Sequence, residues 1–128
     1  MKLLLDTHTF IWWDSDPNKL STHVLSLCEN PEHELVLSVA SVWEMQIKQQ
    51  LRKLELRVPL AELIHQQQAK NGIQLLSISI DHALALDHLP LHHKDPLDRM
   101  LIAQAYVEDL SLISGDPVFS KYAVNVVW

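Results

Sequence analysis

LLLDTHTF, at residues 3–10, joins a hydrophobic run directly to an acid. The three leucines leave no polar position on either side of the chain, which is typical of a strand buried inside a parallel sheet. The residues after Asp6 begin a helical pattern. The stretch therefore predicts a strand over Lys2 to Leu5 whose carboxyl end presents Asp6 at an edge of the sheet.

Four further apolar runs have the length of short buried strands. They lie at Glu34–Ser38, Ile73–Ser77, Leu110–Ser114 and Val124–Trp128. The segments with helical spacing are Thr7–Trp13, Ser21–Cys28, Ala40–Leu54, Leu60–Ala69, Asp81–Leu86 and Pro96–Glu108. Because strands and helices alternate, we expect an α/β fold with a mostly parallel central sheet of about five strands, flanked by helices on both faces.

Length and composition indicate one domain over residues 1–128, since 48% hydrophobic residues provide a core and no biased stretch marks a linker. We find no secretory h-region and no apolar run near the ~20 residues of a membrane span, so we expect a cytoplasmic protein without a membrane partner. The single cysteine, Cys28, excludes an internal disulfide. A net charge of −6 argues against a protein that binds nucleic acid through bulk positive charge.

Acidic residues recur where the predicted strands and helices meet. Asp6 follows the first strand and Asp116 follows the fourth, and parallel strands bring their carboxyl ends to one edge, near the point where strand order reverses. Asp98 lies in the first turn of the last predicted helix. Each acid alone also suits a helix cap or the helix dipole. For Asp95, directly before Pro96, we favour the cap.

Glu44 is the fourth acid of interest. Its helix carries an apolar stripe that predicts the inward face, formed by Val39, Trp43, Ile47, Leu51 and Leu54. Helical geometry places Glu44 about 70° from the centre of that stripe, at the border of the core. The alternative for Glu44 is a surface ion pair with Lys48, four residues on. Trp43 and Trp128 fit core or sheet positions.

Carboxylates that share one edge repel one another by roughly 1–4 kcal/mol per close pair, depending on the dielectric. Either some of them carry protons with a raised pKa, or a cation lies between them. A set of oxygen ligands without cysteine or paired histidine favours the hard cations Mg²⁺ and Mn²⁺. Such an ion keeps positions open for water and phosphate, as phosphodiester hydrolysis requires. We therefore favour the cation.

In order and spacing, Asp6, Glu44, Asp98 and Asp116 resemble the acidic quartet of the PIN domain ribonucleases. The segments LLLDTHTFIWW, SVASVWEMQIK, HHKDPLDRMLIAQA and LISGDPVFSKYAVNVVW are similar to the VapC-like toxins of bacterial toxin–antitoxin modules. The stretch LRKLEL departs from those relatives, which tend to carry a glycine ahead of the Lys-Leu pair. The resemblance implies a metal-dependent endoribonuclease in which the four acids surround one or two Mg²⁺ or Mn²⁺ ions and a metal-activated water attacks the phosphodiester.

The resemblance also implies three partners: an RNA substrate, an antitoxin protein that obstructs the acidic pocket, and a second copy of the chain in a homodimer. Lys48 and Arg99 are candidates for contacts with RNA phosphates. Thr7 and Ser114 are candidates for hydroxyls beside the metal or phosphate, with local capping and turn bonding as the alternative.

The aromatic residues and histidines leave more than one interpretation open. Trp12 and Trp13 suit stacking on bases or contact with a protein partner. His92 and His93 are adjacent and point in different directions on a regular element, so we expect surface or capping roles for the histidines. Only His8, at the rim beside Thr7, merits a test as a site residue.

Two functions of other classes remain open. A receiver-like signalling domain also places acids at strand ends, but it needs a paired acid after the first strand, where this chain has Thr7. A non-catalytic PIN-fold scaffold for protein contacts is the second. Cleavage of RNA that requires Mg²⁺ separates the enzyme from both.

Overall fold

Five parallel strands form the centre of the chain in a computed structural model that describes all 128 residues. The strands are β1 (Lys2–Leu5), β2 (Glu34–Ser38), β3 (Gln74–Leu76), β4 (Ser111–Ile113) and β5 (Val126–Val127). They pair in the order β3-β2-β1-β4-β5, and every pairing is parallel. The predicted α/β fold with a parallel five-stranded sheet is confirmed.

Six α-helices connect and cover the strands. They are α1 (Thr7–Ser15), α2 (Thr22–Glu29), α3 (Val39–Gln50), α4 (Leu60–Asn71), α5 (Ile80–Ala85) and α6 (Pro96–Glu108). Short 3₁₀ helices lie at Pro17–Lys19, Leu86–His88 and Pro117–Lys121. Serine side chains cap the starts of α2, α3 and α5 by accepting backbone N–H groups. None of the helices combines the length and the apolar character needed to cross a bilayer.

The sheet is buried on both faces, which explains the unbroken leucines of β1. Leu3 and Leu5 lie in the core cluster covered by α1, α2, α3 and α4, whereas Leu4 lies in the opposite cluster, under α6. All three side chains are fully buried. Because successive residues of a strand point to opposite faces, an alternating pattern would have placed polar side chains of β1 in one of these two buried clusters.

The predicted inward face of α3 is wrong. Trp43 is 57% exposed and Leu51 is 58% exposed, whereas Ala40, Ser41 and Met45 are buried. Small residues allow α3 to pack closely, and they do not register as a hydrophobic stripe. The helix also ends at Gln50, four residues before its predicted end, and of the predicted stripe Leu54, which lies beyond that end, packs partly against the core.

A residue with a left-handed backbone conformation follows the end of α3. Arg52 has φ 57°, its N–H donates to the carbonyl oxygen of Gln49, and the N–H of Lys53 donates to that of Lys48 at 2.8 Å. This pair of bonds is a Schellman motif, in which glycine normally occupies the left-handed position. Arg52, which directly precedes the Lys-Leu pair, thus has the conformation that glycine adopts most readily.

The order of the strands reverses beside β1, because β2 and β3 lie on one side of it and β4 and β5 on the other. The N–H of Asp6 donates to the carbonyl oxygen of Ile113 at 3.1 Å, so the ends of β1 and β4 are held together. In open parallel sheets, ligands bind in the crevice at such a point. The fold therefore directs attention to the residues that follow these two strands.

Candidate functional site

A cleft of about 130 Å³ opens at this switch point. Its lining residues are Asp6, Thr7, His8, Glu44, Lys48, Asp95, Asp98, Asp116 and Phe119. The four acids singled out in the sequence all line this one cleft, although they come from the end of β1, from α3, from the start of α6 and from the turn after β4. A fifth acid, Asp95, lies with them.

Asp6 is buried, with only 6% of its surface exposed. Its Oδ1 accepts the N–H of Thr9 at 2.8 Å and caps α1, so the cap considered from the sequence is present. The cap fixes the carboxylate at the floor of the cleft. Its Oδ2 takes part in no hydrogen bond within the chain and is free to bind a ligand.

Glu44 uses both carboxylate oxygens. Oε1 accepts the hydroxyl proton of Thr7 at 2.9 Å, and Oε2 lies 2.7 Å from Nζ of Lys48. The Thr7 oxygen also lies 3.0 Å from Oγ of Ser41, whose own proton can complete the chain of bonds. Glu44 therefore both borders the core and pairs with Lys48, and Thr7 orients this carboxylate toward the cleft.

Asp98 lies in a tight group with two neighbours. Nε2 of His93 is 2.8 Å from Oδ2 of Asp98, and Oδ1 of Asp95 accepts the N–H groups of Leu97 and Asp98 at the start of α6. One potential ligand atom from each of His93, Asp95 and Asp98 lies within 4.8 Å of the other two. Asp95 is the predicted cap, and it is also part of this group.

His93 is a functional candidate that sequence reasoning missed. Its ring, for which a surface or capping role was predicted, is half-buried and lies 2.8 Å from a carboxylate oxygen of the cleft. The four residues between His93 and Asp98 include a loop and the first turn of α6, so no helical or strand periodicity relates them. The only available signal was the clustering of histidines and acids in HHKDPLD.

Burial and the neighbouring charges of the cleft shift the pKa of Asp98. Burial is the main cause that raises the pKa of Asp98 above the ordinary carboxyl value, and the charges of Asp95 and Glu44 raise it further, while the hydrogen bond from His93 lowers it. The carboxylates thus repel one another in a partly desolvated site. Lys48 is the only lysine or arginine that lines the cleft. A hard divalent cation fits this donor set of oxygens, with one imidazole at its side.

Ser114 and Asp116 form the turn after β4. The buried hydroxyl oxygen of Ser114 accepts the N–H of Asp116 at 3.0 Å, and Oδ1 of Asp116 accepts the N–H of Val118 to cap the short 3₁₀ helix that follows. Ser114 therefore positions the backbone that carries Asp116. Asp116 itself is exposed at the mouth of the cleft.

Arg99, a candidate for phosphate contact, does not line the cleft. Its guanidinium donates to the carbonyl oxygens of Leu86, Leu89 and Pro90, the last at 2.9 Å, and lies 3.4 Å from the hydroxyl of Tyr122. Arg99 therefore ties down the segment that leads to His93. Lys48 does line the cleft, where it is already paired with Glu44.

A larger groove of about 370 Å³, which we call the aromatic groove, adjoins the cleft. It shares three residues with the cleft, namely Asp6, His8 and Asp116, and adds Thr9, Trp12, Lys19, Gly115 and Trp128. Trp128 is 39% exposed, so its predicted core position is wrong in part. The two cavities form one continuous surface at the carboxyl ends of β1 and β4.

A third depression, which we call the apolar groove, lies on the outer side of α3 and α6 and has a volume of about 300 Å³. Its lining is uncharged and consists of Ala40, Trp43, Ile47, Ile78, Leu86, Pro96, Leu97 and Met100. The exposed indole of Trp43, predicted to be core, is the largest side chain there. Contiguous exposed apolar surface of this kind is typical of a protein contact.

Known proteins resemble this chain in sequence or in fold. The family model described as PIN domain matches residues 3–125. Ribonuclease VapC22 of Mycobacterium tuberculosis (strain ATCC 25618 / H37Rv) is 26% identical over 115 residues, which cover 89% of this chain and 86% of that protein.

Solved structures resemble the whole chain. VapBC2 from Rickettsia felis, bound to a DNA fragment from its promoter, has a TM-score of 0.74 at 12% identity, over 99% of this chain and 98% of that one. DNA-bound VapBC from Salmonella typhimurium has a TM-score of 0.67 at 13% identity, over 99% of this chain and 97% of that one. At such identities the likeness shows a common fold.

Proposed function

The chain belongs to the PIN domain family, as its motifs indicated, and on this premise we propose that it is a metal-dependent endoribonuclease and the toxin of a toxin–antitoxin pair. The observation that carries the proposal is the convergence of Asp6, Glu44, Asp98 and Asp116 on one cleft at the switch point of the sheet. The name of the relative Ribonuclease VapC22 supports RNA as the substrate.

Asp6 and Asp98 are the residues we propose as direct ligands of Mg²⁺ or Mn²⁺, with Glu44 and Asp116 completing the shell. The raised pKa of Asp98 supports this assignment, since a positive neighbour would offset the burial and the like charges that raise it. For Asp6 the support is Oδ2, which no hydrogen bond within the chain uses. When bound, the cation would activate a water molecule and neutralise the scissile phosphate.

The remaining residues of the cleft act on these carboxylates. Thr7 donates a hydrogen bond to Glu44, and His93 is hydrogen-bonded to Asp98. The N–H of Thr9 donates the helix-capping hydrogen bond to Asp6. Each bond fixes a carboxylate before substrate arrives, which lowers the cost of assembling the site. Lys48 supplies positive charge at the rim, where a phosphate would enter.

Two protein partners complete the proposal. The VapBC2 and VapBC complexes among the structural neighbours support an antitoxin as a partner, and we propose that it covers the acidic site. For the apolar groove we propose a second copy of the chain, giving a homodimer. An uncharged lining centred on Trp43 suits a self-complementary contact, in which the same surface of each copy meets the other.

Incubation of the purified protein with mixed cellular RNA tests the activity. We expect cleavage with Mg²⁺ or Mn²⁺ and none with a chelator. Asp6→Asn and Asp98→Asn should each reduce the rate by about a hundredfold or more, as expected for the loss of a ligand. Asp87→Asn is the matched control, because Asp87 is exposed and lies outside the cleft. A non-catalytic scaffold of the same fold would leave the RNA intact under every condition.

A further inference from the structure

The tryptophans and the lysine of the aromatic groove have no role in the function proposed so far. We propose that this groove is a subsite for a nucleobase adjacent to the bond that is cut, with the indole of Trp128 as its main stacking surface. This inference rests on the proposed function and deepens it, because it names the part of the chain that recognises the RNA substrate. It assigns a role in binding to Trp12 and Trp128.

The groove presents aromatic faces around an open space. The ring centroids of Trp12 and Trp128 lie 6.1 Å apart at an interplanar angle of 59°, and the ring of His8 lies 5.8 Å from that of Trp12. The two indoles are tilted, so they form a wedge instead of a closed stack. A wedge of this kind leaves a ring face free for a planar ligand, and nucleobases stack on such faces without regard to sequence.

Gly115 fixes the position of Trp128. A Cβ at residue 115 would lie 2.9 Å from Cε2 of Trp128, so the indole lies directly against a backbone that has no side chain there. The next residue along that backbone is Asp116, at the mouth of the acidic cleft. The indole therefore lies against the residue that directly precedes Asp116, a proposed metal-site residue. This arrangement suits a base on the indole and its phosphate in the cleft.

The positions of charged groups along the groove favour a nucleotide over a peptide as the ligand. Nζ of Lys19 lies 5.9 Å from the ring centroid of Trp12, at the end of the groove that the acidic cleft does not share. A nucleotide strand matches this order, because one phosphate would lie at the cation of the cleft, a base on the indoles and the next phosphate near Lys19. Continuity through Asp6, His8 and Asp116 places both cavities on one path for the strand.

Binding of a fluorescent random-sequence oligoribonucleotide of about 12 nucleotides, within the size range of single-strand sites, tests the proposal. Fluorescence anisotropy should be recorded with Ca²⁺ in place of Mg²⁺, so that affinity is measured apart from cleavage. We expect Trp128→Ala to weaken binding about tenfold, as for the loss of one stacked base, and Trp128→Phe to retain most of the affinity. Tyr106→Ala, an exposed aromatic outside the groove, is the matched control.

Gly115→Ala provides a second variant that leaves every aromatic side chain present. The new methyl group must displace the indole of Trp128, so binding should weaken as it does in Trp128→Ala. Melting temperatures within a few degrees of wild type would show that both variants are folded. Equal affinity of wild type, Trp128→Ala and Gly115→Ala would overturn the subsite, and so would the absence of measurable binding to wild type.

The cleavage assay keeps this test separate from that of the proposed function. If wild type cleaves RNA in a metal-dependent way but Trp128→Ala binds as tightly as wild type, the nuclease stands and the subsite is wrong. If wild type binds the oligonucleotide through Trp128 yet cleaves no RNA with Mg²⁺ or Mn²⁺, nucleobase binding by the aromatic groove stands and the proposed activity is wrong.

Discussion

Nε2 of His93 lies 2.8 Å from Oδ2 of Asp98, at the edge of the acidic cleft. This hydrogen bond lowers the pKa of Asp98, which burial raises, because it favours the charged form of the carboxyl. A ring nitrogen that donates to a carboxylate also fixes the direction in which the remaining lone pairs point. His93 therefore holds the Asp98 carboxylate in a fixed orientation, in which its remaining lone pairs can bind a cation.

Substitution of His93 tests this relationship. We expect His93→Ala to require about tenfold more Mg²⁺ for half-maximal RNA cleavage, in the range found when a group that orients a metal ligand is removed. The pKa of Asp98 should rise further in this variant, so the deficit should shrink as the pH is raised. His92→Ala is the matched control, because that ring packs on Tyr122 and does not line the cleft. An unchanged Mg²⁺ requirement in His93→Ala would contradict the role.

The raised pKa of Asp98 predicts how stability depends on pH when no metal is present. The folded state holds this proton more tightly than the unfolded state, so the free energy of unfolding falls as the pH rises from the ordinary carboxyl range through the raised pKa. Asp98→Asn carries no charge and should lose this contribution. In a chelator at neutral pH, its melting temperature should exceed that of wild type.

Added metal should reverse that ranking. Mg²⁺ or Mn²⁺ at a hundredfold excess over its dissociation constant stabilises a folded protein by about 2.7 kcal/mol, and this gain needs the intact site. Differential scanning fluorimetry should show a large rise in melting temperature for wild type and for Asp87→Asn, and a small one for Asp98→Asn. Equal metal responses in all three proteins would count against Asp98 as a ligand.

Arg52 predicts a stabilising substitution. Its φ of 57° is costly for a residue with a side chain, and the Schellman bonds at the end of α3 require that conformation. Arg52→Gly should raise the free energy of unfolding by about 0.5–1 kcal/mol, measured by urea denaturation. Arg52→Ala keeps the Cβ and is the control, for which we expect no such gain. A loss of stability in Arg52→Gly would show that the arginine side chain contributes more than its backbone strain costs.

The apolar groove predicts the oligomeric state. We expect wild type to be a dimer by light scattering or sedimentation, and Trp43→Asp to be a folded monomer, because a charge in an uncharged interface is not compensated. Ile80→Asp is the control, since Ile80 is 71% exposed and lies outside the groove. A wild-type protein that stays monomeric at high concentration would refute the homodimer.

The strands and the last helix were predictable because their signals are local. Leu3 to Leu5 must be buried on both faces, and the helix Pro96–Glu108 begins at its predicted residue because Asp95 caps it and proline suits the first position. The convergence of acids from distant segments was also predictable, since parallel strands place their carboxyl ends at one edge.

Other features depend on packing that no periodicity records. The inward face of α3 is made of Ala40, Ser41 and Met45, and the small residues among them leave no hydrophobic stripe in the sequence. His93 reaches Asp98 only because the loop before α6 folds back to bring the two together. The direction of Arg99 likewise follows from carbonyl groups of a loop whose path the sequence did not reveal.

Anomalous diffraction from crystals grown with Mn²⁺ would locate the ion itself. We expect a peak within about 2.5 Å of a carboxylate oxygen of Asp6 and of one of Asp98, as for a hard cation held by oxygen ligands. A fully occupied Mn²⁺ found only at other residues, or none at saturating metal, would contradict this expectation.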